Sequence, residues 1–279
     1  MSRSRLPRVS LALLACLLTL PLAAQTAAAP ASEPATINGG RTVFAMPAQV
    51  RPLRVAIYQG PGAPDGGIGN VAERVLQVHG ATVTKLAPEE VATKLDRQHF
   101  DVVTFSGGSG SAQGKAIGEA GRAAVRKFVA EGGGYIGVCA GAYLATAGYE
   151  WGIGLVNART VSPKWKRGRG YLDLELSDEG RALFGEVKDV FQCRYANGPI
   201  IKPAGREDLP PYAVLAWFRT EVAQNGTPVG VQINSPAIIS APYGQGRVMT
   251  LSPHSENTPG LENMLAHAFL WVASASASE

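Results

Sequence analysis

The chain has 279 residues, 46% of them hydrophobic, with 26 Lys and Arg against 22 Asp and Glu for a formal net charge of +4. That composition excludes a disordered or collagen-like chain and supplies enough apolar material for one full core. The basic excess does not point to nucleic acid, because Arg3, Arg5 and Arg8 near the N-terminus account for three of the four charges and only +1 remains without them.

In chain order, Met1 to Arg8 is a basic head, Val9 to Ala24 is almost wholly apolar, and small residues follow at Ala27 to Ala29. This is the form of a secretory signal peptide over residues 1–24, with cleavage between 24 and 29. Its apolar part falls short of the ~20 residues that span a bilayer, so no stable membrane span is expected. The expected location is periplasmic or secreted. The alternative is a lipoprotein anchored through Cys16, since Leu13-Leu14-Ala15-Cys16 has the look of a lipobox. Residues 25–52, rich in Ala, Pro and polar residues, read as a loose leader.

One domain is expected over residues 53–273. Leu53 to Tyr58 reads as a buried strand, Gln59 to Gly69 as a loop, and Val71, Val75 and Val78 recur at helical spacing. Ala81 to Leu86 is a strand, Pro88 opens a short helix, and Phe100 to Phe105 is another buried strand. Ser106 to Ser111 is a Gly-rich loop, Ala116 to Ala130 a helix, and Tyr135 to Val138 a strand. Strands alternating with helices predict a parallel sheet covered on both faces. The second half is richer in strands, at Tyr171 to Leu176, Val190 to Tyr195, Tyr212 to Phe218, Ala237 to Ala241 and Arg247 to Leu251. Leu261 to Val272 closes the domain as an amphipathic helix. The basic run Lys164-Trp165-Lys166-Arg167-Gly168-Arg169 reads as a solvated loop, with ligand binding as the alternative.

Gly137-Val138-Cys139-Ala140-Gly141 has the sequence form of a nucleophile elbow, a sharp strand-to-helix turn with cysteine in the nucleophile position. A thiol there lies beside the first N–H groups of a helix, which favour thiolate. Of four histidines, His79, His99 and His267 sit where capping, packing or solvent explains them. His254 follows a strand and has Glu256 two residues on, so that in an extended segment the carboxylate orients one imidazole nitrogen while the other meets the thiol. Amides of Gly107 or Gly108, together with Ala140, are the expected oxyanion donors. Tyr143, Tyr195 and Asn197 are candidate substrate contacts. Two phosphate-type patterns fail, at Gly114-Lys115 and at Gly60-Pro61-Gly62, and no Cys/His spacing fits zinc. No cofactor and no metal is therefore expected.

Ser106-Gly107-Gly108, the Cys139 elbow and His254-Ser255-Glu256, in this order, resemble the class I glutamine amidotransferase-like superfamily. Within it the chain is similar to the domain found at the N-terminus of eukaryotic biotin–protein ligases and as stand-alone bacterial proteins. The likeness extends through Cys139-Ala140-Gly141-Ala142-Tyr143, Arg169-Gly170, Tyr195 to Pro199 and Tyr243 to Val248. It implies an α/β, flavodoxin-like three-layer sandwich with a mainly parallel central sheet, a nucleophile elbow, a strand-rich C-terminal half and a Cys139–His254–Glu256 triad. Ala142-Tyr143 replace the His-Gln that usually follows the elbow in glutamine amidotransferases. Export also separates the protein from an ATP-using synthetase partner, and biotin ligation calls for a separate ligase domain. The expected function is thus an exported cysteine-dependent amide hydrolase acting on a small-molecule amide, without nucleic acid as partner. A non-catalytic binding or regulatory module on the same fold is the alternative, and the sequence sets no oligomeric state.

Overall fold

The computed structural model describes residues 36–48 and 52–274. The expected signal peptide and its cleavage region lie outside these residues, as does the first part of the expected leader. The N-terminal half alternates β1 (Arg54–Tyr58), α1 (Asp65–Leu76), β2 (Thr82–Leu86), α2 (Pro88–Lys94), β3 (Val102–Phe105), α3 (Gly110–Ala130), β4 (Gly134–Val138) and α4 (Ala140–Ala145). The C-terminal half contributes β5 (Ala158–Thr160), β6 (Arg169–Leu176), α5 (Asp178–Phe184), β7 (Phe191–Ala196), β8 (Ile201–Pro203), β9 (Ala213–Phe218), β10 (Pro236–Tyr243), β11 (Gly246–Leu251) and α6 (Met264–Ala273).

Nine strands form one sheet in the order β2-β1-β3-β4-β11-β10-β9-β6-β7. The first five are mutually parallel, and β10, β9, β6 and β7 continue antiparallel. The two halves are thus one architecture, with β11 returning from the C-terminal half to lie beside β4. β3 and β4 are buried at every position, as strands covered on both faces must be. Helices α2, α3 and α4 pack together, and so do α1, α5 and α6, giving the two outer layers of the sandwich. At the antiparallel edge β7 alternates, with Phe191, Cys193 and Tyr195 in the core and Gln192, Arg194 and Ala196 half-buried. β5 and β8 form a separate two-stranded pair.

The elements differ from expectation in ways local chemistry explains. α1 begins at Asp65 inside the expected loop, and α3 at Gly110, where the Ser109 hydroxyl accepts from the Ala112 amide at 3.4 Å. α5 has no recurrent apolar spacing to announce it, yet Ser177 caps its first turn through the Gly180 amide at 3.0 Å. α6 is less amphipathic than predicted, since Met264, Leu265, Ala266, Ala268, Phe269, Val272 and Ala273 are all buried. No helix among the described residues is long and apolar enough to cross a membrane.

Residues 36–48, within the stretch expected as leader, pack on the domain. Asn38 Nδ2 donates to the Gln192 and Pro259 carbonyls at 3.0 and 2.8 Å, and its Oδ1 accepts from the Gln192 amide at 2.8 Å. Phe44 is 1% exposed and meets Phe191 edge-to-face at 5.2 Å. Truncating such a ring costs about 3–5 kcal/mol. Phe44→Ala is therefore expected to lower stability in urea by about 3 kcal/mol, whereas a loss under about 1 kcal/mol would mean that this segment is dispensable to the core.

Candidate active site

The site is assembled where β4 and β11 end side by side. Their parallel register pairs Leu251 with Val138, and the next residue, Cys139, donates its amide to the Leu251 carbonyl at 2.8 Å. Cys139 adopts φ +51°, ψ −94°, a left-handed conformation that costs a non-glycine residue about 1–3 kcal/mol. The turn closes when the Tyr143 amide donates back to the Cys139 carbonyl at 3.1 Å. The small residues of the elbow are required by close approach. A Cβ at Gly141 would overlap the Phe105 carbonyl, and one at Gly137 would overlap the Gly141 carbonyl. The Cys139 thiol donates to the Ala196 carbonyl at 3.5 Å.

Beyond β11 the chain carries His254 into the same space. Its amide donates to the Arg194 carbonyl at 2.7 Å and its carbonyl accepts from the Thr258 hydroxyl at 2.6 Å. Ser255–Asn257 form a single 3-10 turn, so a turn rather than an extended segment folds Glu256 back onto its neighbour. Imidazole Nδ1 and Glu256 Oε1 lie 2.7 Å apart, with Glu256 3% exposed. Arg74 holds the Glu256 carbonyl from α1 at 3.2 Å. His254 Nε2 and Glu256 Oε2 are buried without a hydrogen-bond partner. Burial opposes an imidazolium at His254, but the Cys139 sulfur and the hydrogen-bonded Glu256 carboxylate outweigh it and push the group up to about 10.

These three residues share a cavity of about 810 Å³ with Gly107, Gly108, Tyr143 and Asn197. A Cβ on Gly107 would meet His254 Cε1 at 2.8 Å, so glycine is what allows the loop after β3 to lie against the imidazole. The amides of Gly107 and Gly108 donate no hydrogen bond among the described residues. Ala140, as the first residue of α4, has no intrahelical partner for its amide. The structure does not bring Tyr195 to the cavity. The alternation of β7 turns it into the core, where its hydroxyl donates to the Gly198 carbonyl at 2.7 Å. Asn197 lines the cavity but carries a structural load at φ +57°, its Oδ1 accepting from the Gly168 amide at 2.7 Å. The Tyr143 hydroxyl is committed to the Asn197 carbonyl at 3.0 Å, and burial pushes that phenol up.

Several lining residues were not among the sequence candidates. Tyr149 and Trp151, stacked at 4.3 Å, line the cavity, and so do Trp165, Lys166, Arg169 and Arg194. Within the run from Lys164 to Arg169, Lys164, Lys166 and Arg169 are exposed as a solvated loop would be, while Trp165, Lys166 and Arg169 also line the cavity. Arg167 turns inward, 2% exposed, and pairs with Glu221 at 2.8 Å, which fixes the residues on either side of it. For Arg194 a signal existed, since it shares with Ala196 the outward phase of a strand whose other phase is apolar. His99 also has a carboxylate partner, Asp96 at 2.9 Å, but that pair is exposed and lines no part of this cavity. Cys139 and Cys193 are both free thiols. Among the described residues no cluster of three or more His, Cys, Asp or Glu is placed to hold a metal ion.

The raised His254 makes stability depend on pH with a definite sign. A histidine favoured in its charged form by the fold contributes fully below its ordinary value of 6.5, and that contribution is lost as pH rises toward about 10. Urea unfolding across this window is expected to show a larger loss for wild type than for His254→Gln. Parallel losses in the two proteins would contradict a folded-state imidazolium.

Residues 53–164 match the family model for the N-terminal region of biotin-protein ligase. Among curated proteins none matches the sequence. Of solved structures, PurLQS from Thermotoga maritima is similar at a TM-score of 0.56 and 13% identity, covering 78% of this chain and 98% of that one. A ThuA-like protein from Parabacteroides merdae is similar at 0.53 and 14%, covering 82% and 92%. At these identities the likeness concerns the fold alone, a flavodoxin-like α/β sandwich. Residues 53–164 are thus similar to the N-terminal region of biotin-protein ligase, and the chain shares its α/β fold with these solved structures.

Proposed function

We propose that the protein is an exported cysteine-dependent amide hydrolase in which Cys139, His254 and Glu256 act as nucleophile, proton carrier and orienting carboxylate. The observation that carries this reading is the meeting of a backbone-strained cysteine with a buried His–Glu pair whose second imidazole nitrogen is unengaged. A binding protein gains nothing from burying that pair beside a thiol. Export rests on the N-terminal sequence pattern alone.

In this mechanism the Cys139 thiolate attacks the amide carbon, and the carbonyl electron pair moves to oxygen. Amides from Gly107 or Gly108 and from Ala140 are the donors available to that oxyanion. The imidazolium gives its Nε2 proton to the departing amine as the C–N bond breaks, leaving a thioester. His254, now neutral, takes a proton from water, whose oxygen attacks the thioester. Collapse expels the Cys139 thiolate, releases the carboxylic acid and regenerates the imidazolium. Glu256 keeps Nδ1 protonated and the ring oriented throughout. Glutamine delivery to a synthetase is not the favoured use of this elbow. Tyr143 stands where the substrate-holding glutamine of those enzymes would be, and its hydroxyl is already engaged.

The test is alkylation by iodoacetamide near neutral pH, followed by mass spectrometry. Cys139 is expected to react at least about tenfold faster in wild type than in His254→Ala, with an intermediate rate in Glu256→Gln. Cys193, buried and pushed up to about 12 by that burial, is expected to remain unlabelled. Equal, slow labelling of Cys139 in wild type and His254→Ala would overturn the hydrolase reading.

A further inference from the structure

Three cations line the Cys139 cavity without a counter-ion. Lys166, Arg169 and Arg194 make no side-chain hydrogen bond or ion pair among the described residues. Among the described residues the single acid lining the cavity is Glu256, already joined to His254. With the His254–Glu256 pair counted as neutral, the three cations leave the lining at +3.

The fold forces these charges together. β6 and β7 pair Arg169 with Ala196 and Tyr171 with Arg194. Residues opposite each other in an antiparallel pair share a face, and so do residues two apart on one strand. Arg169 and Arg194 are therefore diagonal neighbours on the face whose Ala196 carbonyl accepts from the Cys139 thiol. Like charges so placed repel unless an anion lies between them. Lys166 joins them from a loop anchored by its neighbours. Arg167 is tied to Glu221 and to the Pro228 carbonyl, and Gly168 exchanges hydrogen bonds with Asn197 at 2.7 and 2.9 Å. The backbone that carries the cations is anchored, and the stacked Tyr149 and Trp151 add an apolar surface to the same cavity.

We propose that this site selects amides carrying a carboxylate but no neighbouring ammonium, such as ω-amides of dicarboxylic acids or N-acyl amino acids. Lys166, Arg169 and Arg194 take the carboxylate while the amide carbon meets Cys139. The identity of the scissile bond rests on the hydrolase reading above, but the anion preference rests on the cations alone. A free α-amino acid such as L-glutamine fits less well, because its ammonium finds three positive charges and no uncommitted acid.

Three ligands isolate the question: glutaramate, pentanamide, which replaces its carboxylate by methyl, and L-glutamine, which adds an α-ammonium. Each is titrated calorimetrically into Cys139→Ala protein, so that binding is read without turnover. Glutaramate is expected to bind at least about tenfold tighter than either of the others, and to lose about tenfold in Arg194→Gln. Arg169 is exposed, so Arg169→Gln gives a second variant with little risk to folding, and it is expected to weaken glutaramate in the same direction. Added salt should reduce the glutaramate advantage. Pentanamide or L-glutamine binding as tightly as glutaramate, unchanged affinity in both variants, or no glutaramate binding would each overturn the proposal. Because the titrated protein lacks the thiol, its result is independent of the alkylation test. Anion-selective binding without His254-dependent labelling would sink the hydrolase and leave the carboxylate site standing.

Discussion

The hydrogen bond from the Cys139 amide to the Leu251 carbonyl joins the two strand ends from which the site is made. It exists because β11, though last in sequence among the strands, inserts next to β4 in parallel register and ends level with it. That placement brings His254, three residues past Leu251, to the thiol of a residue more than a hundred positions earlier. It also helps hold Cys139 at a backbone conformation costing about 1–3 kcal/mol, which an isolated turn would relax. Long-range sheet pairing thus supports a local strain, and the strain places the sulfur outside the sheet.

A second layer of order comes from β7. Its outward residues, Arg194 and Ala196, serve the site through their backbones as well as their positions. The Arg194 carbonyl holds the His254 amide, and the Ala196 carbonyl holds the thiol. Its inward residues, Cys193 and Tyr195, belong to the core. One strand therefore separates packing from chemistry by alternation alone. The buried Arg167–Glu221 pair plays the corresponding part for the neighbouring loop, since removing either partner would strand a charge inside the protein. The outcome is a cavity lined by Cys139, His254 and Glu256 together with the cations Lys166, Arg169 and Arg194.

The parallel half of the fold was legible because its strands are short, wholly apolar and separated by helical spacing and glycine punctuation, as at Leu53 to Gly80. The elbow and His254-x-Glu256 were legible because their chemistry needs particular residue types at fixed separations. What the residues two apart did not reveal was the 3-10 turn that joins them. Tyr195 was misplaced because a polar-tipped aromatic looks alike in a core or a pocket, and only the phase of its strand separates the two. The cations were obscured for a related reason. A run such as Lys164 to Arg169 is usually solvated, and nothing local shows that Arg167 is its buried member while Lys166 and Arg169 stay exposed at the cavity. Phe44 belongs to the same class, a single aromatic in an irregular stretch whose partner, Phe191, is distant in sequence.

Nitrogen NMR of the His254 imidazole across pH measures directly whether Cys139 and His254 act as one charged unit, as the proposed mechanism requires. At about pH 8 both ring nitrogens are expected to be protonated in wild type, and the His254 titration is expected to move downward when Cys139→Ser removes the sulfur beside it. A neutral imidazole in wild type at that pH, or identical titrations in the two proteins, would contradict that mechanism.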